Sequence, residues 1–128
     1  MANAKRKVIS KELREAVYRK YDGHCAYCGN PITYKEMQVD HFAPVHLFGD
    51  NISISNLMPA CRPCNFRKGT LTVTKFKAEL EKTVDRLRRD SFMFRMAEKY
   101  GIVNVHYAPI LFYYETHQEN THINTSKE

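Results

Sequence analysis

Apolar positions recur along this chain with two different periods, and each change of period marks a new element. After Ser10, Leu13, Ala16, Val17 and Tyr21 repeat at helical spacing and predict a first helix, stopped by Asp22-Gly23. Met37-Gln38-Val39-Asp40-His41-Phe42 predicts a strand that ends before Pro44. A loop through His46, Gly49, Asp50 and Asn51 leads to a second short strand over Ile52 to Pro59, most simply returning antiparallel. Arg62 to Lys68 predicts a short helix closed by Gly69. From Thr72 or Thr74, the spacing of Phe76, Leu80, Val84 and Leu87 predicts a longer helix with one buried face. A further helix is expected from Ser91 to Tyr100, a strand over Ile110 to Tyr114, and a frayed polar tail from Thr116 to Glu128. The expected class is α+β: a small core of two strands and a helix, an N-terminal helix before it, and a C-terminal helical extension ending in a short strand.

The chain has 128 residues, of which 43% are hydrophobic, enough for one modest core. One domain is therefore expected over 1–128, with its core at about 10–70, a helical extension at about 72–115 and the polar tail at 116–128. So small a core gains from an added staple, and the four cysteines suggest which. They fall as two pairs, Cys25/Cys28 and Cys61/Cys64, each with two residues between its members. That spacing turns neighbouring thiolates toward one ion and points to a closed, structural tetrahedral zinc rather than a disulfide, a redox pair or an iron-sulfur cluster. Met1 to Ser10 holds no apolar stretch of signal-peptide length, so a soluble, cytoplasmic protein with reduced thiols is expected.

Lys and Arg number 20 against 14 for Asp and Glu, a net charge of +6 that favours a polyanionic partner. Basic clusters stand at Lys5-Arg6-Lys7, at Arg62 with Arg67-Lys68, and at Arg86-Leu87-Arg88-Arg89. Charge alone does not decide the matter, because arginine-rich helix faces are commonly just solvated. The placement of Asp40-His41 between the cysteine pairs, and of Asn65 directly after Cys64, says more. A hairpin carrying Asp-His and a helix carrying Asn, clamped by one ion, bring a carboxylate, an imidazole and an amide oxygen toward one point.

Val39-Asp40-His41-Phe42-Ala43-Pro44, then Ser55-Asn56-Leu57, then Cys61-Arg62-Pro63-Cys64-Asn65-Phe66-Arg67-Lys68-Gly69 resemble the HNH endonuclease family over roughly Tyr21 to Gly69. That family includes homing, restriction and phage nucleases and the HNH domain of CRISPR effectors. The resemblance implies a ββα-metal core. It implies that His41 is the general base activating water and that Asp40 and Asn65 ligate a catalytic Mg²⁺ or Mn²⁺, with Asn56 bracing the hairpin loop. An imidazole with its usual pKa of about 6.5 accepts a proton at neutral pH. Carboxylate and amide oxygens are hard ligands that suit such a cation. Arg62, Arg67 and Lys68 are the candidate substrate contacts, with His46 either a contact, a second metal ligand or a bystander. Asn65 stands where the family name has its last His, an HNN variant, and the loop after Pro44 lacks the usual paired glycines. Because adjacent strand residues face opposite ways, the motif calls for irregular backbone at Asp40-His41.

The implied function is phosphodiester hydrolysis in DNA, with RNA left open, by an enzyme of phage or bacterial type. A homodimer is one way for so small a nuclease to cut both strands. The alternative is a noncatalytic zinc-stabilised nucleic-acid-binding module showing Arg62, Arg67 and Lys68 to phosphate. It explains the cysteines and charge equally well but gives no reason for the Asp40, His41 and Asn65 arrangement. A RING-type interaction module would need more alternating Cys/His pairs. In the C-terminal half, Phe92, Phe94, Met96, Phe112, Tyr113 and Tyr114 are expected in packing, with Arg86, Arg88 and Arg89 as candidate backbone contacts.

Overall fold

The N-cap at Ser10 forms as its sequence suggests: its hydroxyl accepts the Leu13 N–H at 3.1 Å, opening helix α1 over Lys11–Arg19. The computed structural model describes residues 6–120, so Lys5 and the tail residues 121–128 lie outside the described residues. Gly23 ends the helical turn with φ +78°, its N–H on the Tyr18 carbonyl, and any Cβ there would stand 2.9 Å from the Tyr18 hydroxyl. The buried face of α1 carries Ala16 and Val17, followed by Tyr21.

Strand β1, Gln38–His41, pairs antiparallel with β2, Leu57–Ala60, in the register Gln38↔Ala60 to His41↔Leu57. Between them lie a single helical turn, α2 (Val45–Phe48), and a 3-10 turn at Ile54–Asn56. The second strand is thus shorter than the expected Ile52 to Pro59, because Ile54–Asn56 coils before pairing starts. Helix α3, Arg62–Lys68, follows β2 with Cys61 as its N-cap, Pro63 in its first turn and Gly69 at its end.

Two long cations hold these elements together from inside. Lys20, 1% exposed, donates from Nζ to the carbonyls of Ile54 and Leu57 at 2.8 and 2.7 Å, tying α1 to the start of β2. Arg14 reaches the carbonyls of Tyr34 and Met37 at 2.7 and 2.9 Å, tying the same helix to the approach to β1. Satisfying backbone carbonyls in this way removes the penalty of burying them without a partner.

By contacts the chain forms two compact units, Met1–Val73 with Leu111–Glu128, and Thr74–Ile110. In the second, the single long helix expected from the Phe76 to Leu87 stripe is corrected to two: α4, Val73–Glu81, and α5, Thr83–Asp90. The break falls at Lys82, whose N–H goes to Glu79, while the Thr83 hydroxyl caps the Leu80 carbonyl at 2.7 Å. Ser91 then caps α6, Phe92–Lys99, by accepting the Phe94 N–H at 3.1 Å.

The expected strand at Ile110 to Tyr114 is also corrected. Tyr113–Thr116 is a helical turn, α7, and its first N–H groups are spent on the backbone between Cys25 and Cys28: Tyr113 on the Tyr27 carbonyl at 3.0 Å and Tyr114 on the Ala26 carbonyl at 2.8 Å. The aromatic run reads as a strand because large aromatic residues favour strands, yet here only Phe112 is buried while Tyr113 and Tyr114 are both half-buried. Phe112, 3% exposed, packs edge-on to Tyr27 with ring centres 5.3 Å apart. Gly29, at φ +80°, is required there, since a Cβ would come within 2.6 Å of the Tyr113 ring. No helix among the described residues is long and apolar enough to cross a membrane.

Candidate active site and metal centre

The two cysteine pairs meet. The sulfurs of Cys25, Cys28, Cys61 and Cys64 all lie within 4.8 Å of one another. Cys28 and Cys61 are 3.8 Å apart, the edge expected of a tetrahedron with metal-sulfur bonds of about 2.3 Å. Backbone N–H groups of Tyr27, Asn30 and Cys64 each point at a cysteine sulfur at 3.4 Å, placing positive dipoles where thiolate charge would sit. The Cys64 thiol hydrogen-bonds Cys25 and pulls its pKa down to about 4, whereas the same bond, with burial, pushes Cys64 up. A dication answers that competition by letting every sulfur ionise, and the soft donor set fits zinc. Four protein ligands would leave such an ion no open position for a substrate or water.

The second cluster lies at the end of the hairpin. A cavity of about 240 Å³ is bordered by Asp40, His41, Pro44, His46, Asn65 and Thr70, among others, so Asp40, His41 and Asn65 share one cavity wall with His46 beside them. The expectation of irregular backbone at Asp40-His41 is corrected: pairing is regular through His41↔Leu57. Alternation sends the two side chains to different partners instead. Asp40, 5% exposed, accepts the Tyr27 hydroxyl on Oδ2 at 2.5 Å and the Lys68 ammonium on both oxygens at 3.3 and 3.1 Å. His41 Nε2 lies 2.9 Å from Asp50 Oδ1.

Burial raises the Asp40 carboxyl above the usual carboxylate range, against the opposing pull of Tyr27 and Lys68. Tyr27 is raised in turn, by burial first and by Asp40 second. A carboxylate offers about four lone-pair sites, so Oδ1, engaged only by Lys68, keeps capacity for a further ligand. The Asn65 side-chain amide makes no hydrogen bond within the described residues. A carboxylate and an unengaged amide oxygen on one cavity form a hard donor set that fits Mg²⁺ or Mn²⁺.

The remaining sequence-selected residues fall in distinct surroundings. Asn56, 7% exposed, accepts the Ala43 N–H at 2.9 Å and donates to the Asn51 carbonyl at 2.8 Å, so it spans the loop between the strands. Lys68 is not on the surface: 1% exposed, it also donates to the His41 carbonyl at 3.1 Å and so fastens α3 to β1 beneath the cavity. Arg62 and Arg67 are exposed on α3. Arg86, Arg88 and Arg89 pair with Glu79, Glu98 and Asp90 inside the helical unit.

Sequence reasoning missed Tyr27 and Asp50. Tyr27 carries no motif signal, because its partner Asp40 meets it only through the knuckle. Asp50 was visible in one respect, as the only carboxylate between Asp40 and β2.

Comparison with known proteins bears on this cluster. Residues 25–71 match the family model for HNH endonuclease, a segment holding both cysteine pairs, the hairpin and α3. Over 45 residues the chain is 42% identical to the CRISPR-associated endonuclease Cas9 of Corynebacterium diphtheriae, covering 35% of this chain and 4% of that protein. Among solved structures it resembles the Type II-C Cas9 enzyme from Actinomyces naeslundii with a TM-score of 0.50 and 28% identity, covering 59% of this chain and 8% of that one. The chain therefore spans only a small part of the length of either relative.

Proposed function

We propose that this chain, whose residues 25–71 match the HNH endonuclease family model, is a metal-dependent nuclease that hydrolyses phosphodiester bonds in DNA. The observation that carries this reading is the shared cavity of Asp40, His41 and Asn65, one side chain each for ligation, proton acceptance and ligation, within a zinc-compatible frame.

A divalent cation held by Asp40 and Asn65 would supply electrostatic stabilisation of charge on the scissile phosphate and the departing oxygen. His41 takes the proton from the attacking water, a role typically worth about 10² to 10⁴ in rate. Tyr27 and Lys68 hold the Asp40 carboxylate in one orientation, so that its free lone pair keeps its direction. Asn56 keeps the loop between β1 and β2 from drifting across the cavity. The exposed Arg62 and Arg67 on α3 face a polyanion from the helix that carries Asn65, contributing charge and counterion release. DNA as substrate rests on the endonuclease relatives and the net charge of +6.

The test is plasmid nicking with and without added Mg²⁺ or Mn²⁺, comparing the wild type with His41→Ala prepared identically. Metal-dependent cutting that disappears in His41→Ala is the expected result. Undiminished cutting by His41→Ala would remove the base from the reading, and DNA binding without cutting under either metal would leave only a nucleic-acid-binding module.

A further inference from the structure

Asp50 is the one carboxylate in the loop that joins the hairpin strands, and the loop is built to return it to β1. The turn at α2 closes through N–H groups of Phe48 and Gly49 on the Pro44 and Val45 carbonyls. Gly49 then takes φ +84°, a left-handed conformation that reverses the chain just before Asp50. Asn51 and Asn56 fix the far side, through the Asn56 amide on the Asn51 carbonyl and the Ser53 N–H on the Asn51 side chain.

Both carboxylate oxygens of Asp50 are used. Oδ1 meets His41 Nε2 at 2.9 Å, and Oδ2 accepts the backbone N–H of Lys7. The pair is sheltered, with the His41 and Asp50 side chains only 13% and 12% exposed. An ionised carboxylate can only accept, so the proton on a neutral ring must sit at Nε2 and the lone pair at Nδ1. Nδ1 has no partner among the described residues, and the ring borders the cavity.

We propose that Asp50 is a positioning residue for His41: it fixes the imidazole in the Nε2–H form and thereby keeps the Nδ1 lone pair for proton acceptance. This rests on His41 being the base. A carboxylate pinned at both oxygens orients the ring more tightly than one free to rotate, and holding a catalytic imidazole by its other nitrogen is a general device. Asp50 itself does not line the cavity and reaches it only through the imidazole.

The decisive variant is Asp50→Asn, because the Lys7 N–H remains an obligatory donor. The amide oxygen turns to Lys7, leaving the NH₂ group to face His41 Nε2. Nε2 must then accept, which drives the ring proton to Nδ1 and removes the lone pair. The experiment uses the zinc-loaded, ¹⁵N-labelled full chain. Long-range ¹H–¹⁵N correlation spectra of the His41 ring are read at a pH where it is neutral, beside plasmid-nicking kinetics with Mg²⁺. We expect Nε2–H in the wild type and Nδ1–H in Asp50→Asn, with turnover lower by about 10 to 100-fold and the half-saturating DNA concentration unchanged.

Nδ1–H in the wild type, or an unchanged Nε2–H in a folded Asp50→Asn, would overturn the proposal. If Asp50→Asn does not fold, the wild-type tautomer and loss of a single tautomer in Asp50→Ala decide instead. Full turnover in Asp50→Asn beside an inactive His41→Ala would defeat the positioning role and leave the base standing. Cutting by His41→Ala would defeat the base itself, a failure the tautomer spectra do not share.

Discussion

The two compact units of this chain carry similar basic residues and use them in opposite ways. In the unit built on the cysteine cluster, Lys20 and Lys68 are each 1% exposed and donate to internal backbone carbonyls, with the Glu119 carboxylate 3.2 Å from Lys20 and the buried Asp40 carboxylate against Lys68. In Thr74–Ile110, Arg86, Arg88 and Arg89 stay at the surface and pair with nearby carboxylates. A buried cation with several acceptors fixes geometry, whereas an exposed pair contributes little to stability. Runs of Lys and Arg that look equivalent in a sequence thus differ in kind, and only the first kind sits beneath the candidate active site.

Removing zinc should separate the units most strongly. Structural zinc supplies roughly 10 to 16 kcal/mol of apparent folding free energy in small domains, and the four cysteines hold the first knuckle to the start of α3. A strong chelator should abolish amide protection across β1, β2 and α3. The Arg88–Glu98 bonds and the Ser91 cap need no ion, so protection in α5 and α6 should survive. Hydrogen exchange followed by mass spectrometry reads both at once, and simultaneous loss in all five elements would break the comparison.

Lys68→Met comes next. It leaves Asp40 buried with only Tyr27 as a partner, and breaking such a pair from one side commonly costs about 3 to 5 kcal/mol. Replacing both members, with Asp40→Asn added, should restore much of that loss, because the uncompensated charge is gone. Urea denaturation of the zinc-loaded proteins gives the three values. If Lys68→Met proves as stable as the wild type, Lys68 is not the counterion that the geometry makes it.

The ββα core was legible because its signals are local and mutually consistent: a cap at Ser10, a stop at Gly23, a terminator at Pro44 and a glycine at the end of α3. The metal cluster was legible because its ligands are set by spacing. The shared cavity was visible only as juxtaposition, since the sequence shows that one ion would clamp Asp40-His41 near Asn65 but not what each side chain touches. Lys68 read as a surface phosphate contact because a buried lysine has the same sequence signature as a solvated one until its acceptors are known. Tyr27 and Asp50 act through partners 13 and 9 residues away, a range at which no periodicity carries information. The break at Lys82 and the turn at Tyr113 escaped for another reason. Both are decided by which backbone groups find partners, Thr83 on Leu80 and Tyr113 on Tyr27, and not by the apolar pattern.

The smallest effect is a pH dependence confined to the helical unit. Arg88 grips Glu98 with two hydrogen bonds and adds the Tyr107 hydroxyl at 2.7 Å. Its hydrogen bonding holds the Glu98 carboxyl below the usual glutamate value. A carboxyl lowered in the folded state favours folding when ionised, so its contribution is complete above the unfolded value and is lost as pH falls through the folded one. Amide protection in α5 and α6 should therefore drop in the acid range, below the ordinary titration of a glutamate, and salt should blunt the effect by screening. Glu98→Gln should remove that acid step and leave neutral protection almost unchanged, because an exposed pair contributes little. An acid step that persists in Glu98→Gln would assign the sensitivity to another carboxylate, with Glu79 beside Arg86 the next to test. A large loss of neutral protection in the same variant would mean that this unit, too, depends on a charge pair for its shape, and the contrast with the cysteine-centred unit would narrow to the metal cluster alone.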